Sequence, residues 1–454
     1  MKLIIIGAGP GGYETALAAA KRGIEVTVFE SGNLGGTCLN EGCIPTKALC
    51  RNAEIMEEMR MAAEFGVYPG GNAESSGTVR IDMKKVQEKK QAIVSRLGEG
   101  IESLLKHKLI TLVRAHAEFK DEHTVVAGGI EYAADNIIIA SGSVAASLPV
   151  PGANLPNVLS SKEMLELNEI PESLCVIGGG VIGLEFASIF AAFGSKVTVL
   201  EYCKELLPRF DTDIAKRLKQ VLGKRGIEII TSAQVLSIEE NNNGLLSVKY
   251  LHKESEKYVE TEKVLMAVGR RANFEGLGIG AAGIETTRRG IAVNEFMQTN
   301  VPHIYAIGDV NGLMMLAHAA TFQGLKALNH MTGTPDNINL SVMPAAVFTN
   351  PEVATVGLTE EECKNKGLNF KCLKSFYRSN GKAVSMGSTE GYCKLIYDAD
   401  SNRILGCHLL GAHASDLISE VCALINCGAT VRQAADIIHS HPSLSEILQT
   451  AYHA

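Results

Sequence analysis

Basic residues are in deficit. Against 50 Asp and Glu the chain has 43 Lys and Arg, a formal net charge of −7 with a pI near 6.0. Without a basic patch to meet a phosphate backbone, no DNA or RNA partner is expected. Long apolar runs are also missing: no stretch approaches the ~20 residues of a membrane span. The first apolar run is short and leads straight into glycines, unlike a targeting segment. A soluble, cytoplasmic protein with no membrane partner is therefore expected. The 11 cysteines are an odd number, so at least one is unpaired and a secreted disulfide framework is not indicated. No second Cys or His pair stands at a spacing that would complete a zinc site, and no metal is expected. What the chain does have is 454 residues, 46% of them hydrophobic, enough for several cores and two to four domains.

The apolar run Leu3 to Ile6 reads as a buried strand and opens into Gly7-Ala8-Gly9-Pro10-Gly11-Gly12. An Ala-rich helix from Tyr13 to Arg22 follows, then a strand from Glu25 to Phe29 that ends at Glu30. Strand, glycine turn, helix, strand and acid in this order form a dinucleotide fingerprint. Gly7, Gly9 and Gly12 let the backbone approach a pyrophosphate, the helix N-terminus offers N–H groups, and Glu30 takes ribose hydroxyls. The arrangement recurs. Cys175-Val176-Ile177 leads into Gly178-Gly179-Gly180-Val181-Ile182-Gly183, a helix runs to Phe193, and the strand Lys196 to Leu200 ends at Glu201. Two units imply two dinucleotides, held by Gly7, Gly9 and Gly12 and by Gly178, Gly180 and Gly183, and a chain holding two electron carriers passes electrons between them.

Soon after the first fingerprint comes Gly35-Gly36-Thr37-Cys38-Leu39-Asn40-Glu41-Gly42-Cys43-Ile44-Pro45-Thr46-Lys47. Two cysteines so near a cofactor turn suggest a disulfide that accepts electrons; buried thiols and metal ligands are the alternatives. Residues 51 to 106 read as two helices broken by the turn cluster Gly66-Val67-Tyr68-Pro69-Gly70-Gly71. Apolar strands meet small-residue turns at Asn136 to Ser143, Val264 to Arg270 and Ile304 to Asp309. Leu148 to Pro156 reads as a linker. From about 340 the pattern changes to strands with amphipathic helices near 413 to 426 and 431 to 438, a separate domain.

Several further motifs, Ala267-Val268-Gly269-Arg270-Arg271, Gly308-Asp309-Val310, Phe348-Thr349-Asn350-Pro351-Glu352 and His441-Pro442-Ser443-Leu444-Ser445-Glu446, stand with the two fingerprints and the redox run. End to end, the chain resembles the flavin-dependent pyridine nucleotide-disulfide oxidoreductases, and within them the branch of the dihydrolipoamide dehydrogenases. The resemblance implies an α/β fold of two Rossmann-like dinucleotide-binding domains, for FAD and NAD, plus a C-terminal α+β dimerisation domain. Residues 1–143 and 265–335 would form the FAD-binding domain with its central part, 144–264 the NAD-binding domain and 336–454 the interface of a homodimer.

Cofactors FAD and NAD are implied, with Glu30, Thr37, Lys47, Ala117, Ser141, Gly142, Glu185, Asp309 and Met315-Leu316-Ala317-His318 around the flavin nucleotide, and Glu201 and Gly269 at the nicotinamide nucleotide. Cys38 would be the interchange thiol, Cys43 the charge-transfer thiolate, His441 the base supplied by the other subunit, and Glu446 its orienting acid. The implied reaction is NAD-dependent oxidation of dihydrolipoyl groups carried by a partner protein, either the E2 of a 2-oxo acid dehydrogenase complex or the glycine cleavage H protein.

Glu201 would repel a 2′-phosphate, and Tyr202 and Cys203 follow it with no Arg cluster, so NAD is expected over NADP. That counts against a glutathione or mercuric reductase, and a mercuric reductase would also carry a C-terminal cysteine pair. A catalytically silent flavoprotein subunit conflicts with intact Cys38, Cys43, His441 and Glu446. Lys204 and His439 read as structural or solvated. Ser143 to Pro149 is longer than the usual connection, so a loop difference is expected there, and Gln323 stands where an acid is frequent.

Overall fold

A computed structural model describes residues 1–68 and 79–454; Pro69, Gly70 and Gly71 of the expected turn cluster lie outside the described residues. The chain divides into two compact units, one of Met1–Ala48, Lys84–Ala146 and Gly269–Leu340, the other of Leu49–Met83, Ser147–Val268 and Ser341–Ala454.

In the first unit the strand β1 (Lys2–Ile6) lies between β2 (Glu25–Phe29) and Asn136–Ile139, all parallel, with Ile110–Val113 and Ile304–Ala306 at the edges. Leu3, Ile5, Val26, Val28 and Ile138 feed the core on one face, and Ile4, Ile6, Phe29, Ile137 and Ile139 the core on the other. Burial on both faces is why these strands read as unbroken apolar runs. Helix α1 (Pro10–Lys21) packs on Ala317–Thr332 through small residues: a Cβ on Gly11 would meet Ala320 at 3.1 Å, and one on Gly324 would collide with Thr15. The redox run forms α2 (Gly36–Asn40) and the start of α3 (Cys43–Met61), so the helix expected from about residue 51 in fact begins at Cys43.

The second unit repeats this plan. Ser173–Ile177 lies between Lys196–Glu201 and Lys263–Met266, with Glu228–Thr231 and Val158–Leu159 at the edges. In both units a three-stranded antiparallel meander, Ala117–Ala133 in one and Gln234–Thr261 in the other, is inserted between the edge strand and the strand that returns beside the first. The duplication thus extends well past the glycine turns.

The C-terminal part of the second unit is a five-stranded antiparallel sheet. One face carries the core of Leu395, Cys407, Leu409, Ile418 and Tyr452. The other carries a polar row, since the register aligns Thr355 with His408, His408 with Lys394, and Lys394 with Lys374. The N-cap of Thr212–Lys224 covers this row: Lys394, 1% exposed, donates to both oxygens of fully buried Asp211 at 3.0 Å and also meets Asp213 and Glu360. Lys394, buried among unlike charges at the centre of the row, is satisfied rather than solvated.

The helix expected at 413 to 426 is Ala414–Asn426, while that expected at 431 to 438 stops at Ala435; Glu446–Tyr452 adds a helix that periodicity did not reveal. Both connecting stretches carry specific contacts. The first residues of the stretch 143 to 149 form a strand, Ser143–Ala145, paired with Arg270–Ala272. The proline-rich stretch read as a linker is pinned: Ile238 N–H donates to the Pro151 carbonyl, and Gly152 has no room for a Cβ beside Ile238.

Candidate functional site

Both glycine turns are built alike. Gly7 and Gly178 adopt φ of +107° and +114°, and a Cβ on either would lie 2.3 Å from the carbonyl oxygen of Ala140 or Ala267. Only glycine fits that conformation at that distance. Gly12 and Gly183 press on the carbonyls of Gly7 and Gly178, where a Cβ would fall at 1.9 and 2.0 Å. Gly9 and Gly180 cap their helices with no side-chain hydrogen bond. The first-turn N–H groups are therefore not taken by a capping side chain, and each turn fits a pyrophosphate. The two acids match as well. Glu30 accepts from Ala8 and Gly32 N–H at 2.8 and 2.7 Å; Glu201 accepts from Gly179 and Cys203 N–H at 2.5 and 2.6 Å. Each carboxylate oxygen keeps a further lone pair for a ribose hydroxyl. Beyond Glu201, Tyr202 is 73% exposed.

The redox run is fastened to the first turn. Gly35 N–H donates to the Ala8 carbonyl at 2.9 Å, and Gly36 sits against Gly9, whose Cα would be 2.8 Å from a Cβ there. Cys38 lies in α2, and Cys43 is the first residue of α3, where the positive end of the helix dipole favours a negative sulfur. The two are not joined as a disulfide in this structure. A hydrogen bond to Cys43, then burial, pushes the Cys38 thiol well above the ordinary range, with Lys47 opposing.

Around this segment, Ser141 donates to the Asn273 carbonyl at 2.5 Å and Gly142 has φ of +75°. Ser143 donates to Asp309 at 2.5 Å. Burial raises the Asp309 carboxyl above its usual range, and Ser143 and Arg270 oppose that rise. Met315 and Leu316 lead into Ala317–Thr332, whose N-terminus lacks a side-chain cap and lies by Gly11 and Gly308 through Ala320; His318 is exposed in its first turn. Gln323 accepts from Gly308 N–H at 2.7 Å and from the Asn311 amide at 2.9 Å, so a neutral amide braces the Asp309 turn. Ala117 is buried at the head of its strand. Lys47 belongs to the first unit and Glu185 to the second, where Glu185, 3% exposed, accepts Phe348 N–H at 3.0 Å. In the same unit, Gly269's predecessors Ala267 and Val268 line the second turn.

His441 and Glu446 are brought together. His441 Nδ1 lies 2.9 Å from Glu446 Oε1, and Ser443 N–H donates to the other oxygen. Those two bonds, the Ser443 one first, hold the Glu446 carboxyl below the ordinary range. An ionised carboxylate only accepts, so Nδ1 donates to it, which leaves Nε2 as the ring nitrogen turned away from Glu446 on a side chain that is 80% exposed. His439 differs: it is buried, with Glu420 on one ring nitrogen and the Ile437 carbonyl near the other.

Two participants were not singled out from the sequence, Arg270 and Ser143, although both stood at the ends of motifs already marked. Arg270 donates to the hydroxyl and carbonyl of Ser143, each at 2.7 Å, and reaches Thr37 at 3.4 Å. Among the described residues there is no cluster of three or more His, Cys, Asp or Glu suited to a metal, and no helix long and apolar enough to cross a membrane.

Comparison with known proteins agrees with this geometry. Residues 1–324 match the family described as pyridine nucleotide-disulphide oxidoreductase, and residues 343–452 its dimerisation domain. A dihydrolipoyl dehydrogenase of Geobacillus stearothermophilus is 39% identical over 99% of this chain and 94% of its own. One of Bacillus subtilis is 37% identical over 99% and 98%. The HOCl-induced flavoprotein disulfide reductase RclA of Escherichia coli superposes with a TM-score of 0.87 at 30% identity, over 100% of this chain and 99% of that one. The chain belongs to the pyridine nucleotide-disulphide oxidoreductase family.

Proposed function

We propose that the chain oxidises protein-bound dihydrolipoyl groups to lipoyl and delivers the electrons to NAD. The observation that carries this reading is the fastening of the Cys38 and Cys43 run to the first dinucleotide turn through Gly35 and Gly36. Its relatives' names support the substrate.

His441 Nε2 takes the proton of the first substrate thiol, and Glu446 stabilises the charged ring. The resulting thiolate attacks Cys38 of the oxidised pair. The Cys38–Cys43 bond breaks, its electron pair leaves on Cys43, and the substrate is held to Cys38 as a mixed disulfide. The second substrate sulfur then displaces Cys38, which leaves as a thiolate and takes up that sulfur's proton. The lipoyl disulfide departs, two electrons stay on the cysteines, and the first proton stays on His441. A proton remaining on Cys38 agrees with the raised thiol there. FAD, if held at the first turn, would supply two-electron chemistry between the cysteine pair and NAD. The chain's own residues would orient both nucleotides: the glycine turns would take the pyrophosphates, Glu30 and Glu201 the ribose hydroxyls, Asp309 a hydroxyl of FAD, and Lys47 with Glu185 would tune the flavin.

The family's dimerisation domain covers residues 343–452, and the reading makes His441 serve the cysteine pair of the other subunit in a homodimer. Residues 1–143 with 265–335 would be the FAD domain, 144–264 the NAD domain and 336–454 the interface. The electron donor would be a lipoyl-bearing carrier, the E2 of a 2-oxo acid dehydrogenase complex or the glycine cleavage H protein, encountered in the cytoplasm.

Anaerobic addition of dihydrolipoamide to the FAD-loaded protein, without NAD, should convert Cys38 and Cys43 from a disulfide to titratable thiols. If both cysteines stay oxidised while FAD is bound, the dithiol is not the substrate.

A further inference from the structure

Residues 147–268 leave and re-enter the first unit through the ribbon of Ser143–Ala145 and Arg270–Ala272. Arg270 stands opposite Ala145 in this ribbon, and its guanidinium folds around Ser143: Nε donates to the hydroxyl and Nη2 to the carbonyl, both at 2.7 Å, while Nη2 also reaches the Thr37 hydroxyl at 3.4 Å. A serine hydroxyl has one proton to give. With Arg270 Nε–H directed at its oxygen, that proton must point elsewhere, and it points at Asp309 Oδ2, 2.5 Å away. Arg270 therefore sets the direction of a bond it does not itself make. Through Thr37, it also touches the residue before Cys38.

We propose that Arg270 is a positioning residue for FAD, holding the Asp309 carboxylate through Ser143 as the acceptor of a cofactor hydroxyl, and tying that carboxylate to the segment that carries Cys38. The inference rests on the assignment of Asp309 to the FAD site. Burial favours the protonated form of Asp309, and the two groups that oppose it are the Ser143 hydroxyl and the Arg270 charge. Arg270 is the charged group facing this carboxyl among the described residues. A protonated Asp309 is a weaker acceptor, so FAD affinity should fall on acidification, and losing either relay member should bring that fall to higher pH. The forked contact matters as well as the charge. Lysine can supply the charge but not two parallel donors to one residue.

The test is FAD affinity, by flavin fluorescence on titrating FAD into the apoprotein from about pH 5 to about pH 9, for the parent and for Arg270→Met, Arg270→Lys, Ser143→Ala and Asp309→Asn. Thermal melting of each holoprotein checks folding, and Ser143→Ala, which removes a single oxygen, carries the test if Arg270→Met does not fold. Near neutral pH, Arg270→Met and Ser143→Ala should each weaken FAD by on the order of tenfold or more, the worth of a hydrogen bond to a charged group. Both should shift the acid-side loss of affinity to higher pH. Arg270→Lys should restore the pH profile in part and the neutral-pH affinity little. The double variant should bind no worse than the weaker single, as members of one relay do.

Losses that add in the double variant, or a pH profile that does not move, would overturn the relay. Asp309→Asn separates the two levels. If it binds FAD like the parent, the assignment of Asp309 fails and takes the relay with it. If it is impaired while Arg270→Met and Ser143→Ala are not, the relay alone fails.

Discussion

Replacing Gly183 or Gly12 with alanine separates the two nucleotide sites. A Cβ at Gly183 would lie 2.0 Å from the Gly178 carbonyl oxygen, and real Cβ atoms stay beyond about 3.0 Å, so the glycine turn and helix Val181–Phe193 must part by about 1 Å. At Gly12 the starting distance is 1.9 Å from the Gly7 carbonyl, and the displacement is similar. A shift of this size takes first-turn N–H donors off a pyrophosphate. Losing one or two charge-assisted bonds, each about 1.5–3 kcal/mol, weakens the nucleotide by on the order of a hundredfold, and the overpacking itself destabilises by about 1–3 kcal/mol. Gly183→Ala should retain FAD, still be reduced by dihydrolipoamide and bind NADH on the order of a hundredfold less tightly. Gly12→Ala should be isolated without FAD. The assays are flavin content by absorbance and NADH affinity by fluorescence titration. Parental NADH affinity in Gly183→Ala, or loss of FAD from that variant instead, would refute the assignment of the turns.

Three other perturbations address separate parts of the account. Lys394→Met leaves fully buried Asp211 without its ion partner and should cost about 3–5 kcal/mol in denaturant unfolding; adding Asp211→Asn should recover much of it, and a neutral Lys394→Met would mean that the polar row does not hold the sheet to Thr212–Lys224. Asp213 is drawn from an ordinary 3.8 to about 2, by Lys374 first and then Lys394. Because its folded value lies below the unfolded one, its contribution is present above about pH 4 and is lost as pH falls through about 2. Asp213→Asn should flatten melting temperature against pH in that window, and an unchanged acid limb would contradict the pairing. His441→Gln should slow reduction by dihydrolipoamide by about 10²–10⁴-fold while NADH still reduces the protein at near-parental rate. Equal losses in both half-reactions would remove His441 from the role of base.

How much of this could be read from sequence depends on how locally each feature is encoded. The strand Glu25–Phe29 and the end of helix Val181–Phe193 coincide with the expected bounds because apolar runs meet glycine or an acid within a few residues. The repeated meanders were not legible. Their short alternating strands carry no motif, and only pairing shows that they occupy the same place in both units. The Arg270, Ser143 and Asp309 relay joins residues 127 and 166 positions apart, beyond any local pattern. Lys394 would pass for a solvated strand residue, since its partner Asp211 lies 183 positions away. The residues proposed for the dithiol chemistry are encoded locally instead: Cys38 with Cys43, and His441 with Glu446, each fall within one short run, and the structure brings His441 and Glu446 together.

The most direct test of the central claim is the initial rate of NADH formation by the FAD-loaded protein given dihydrolipoamide and NAD, beside the same dithiol with NADP and beside the Cys38→Ser variant. The account predicts fast turnover with NAD, little with NADP and none in the variant. Absence of turnover with either nucleotide while FAD is bound, or turnover that survives loss of Cys38, would contradict it.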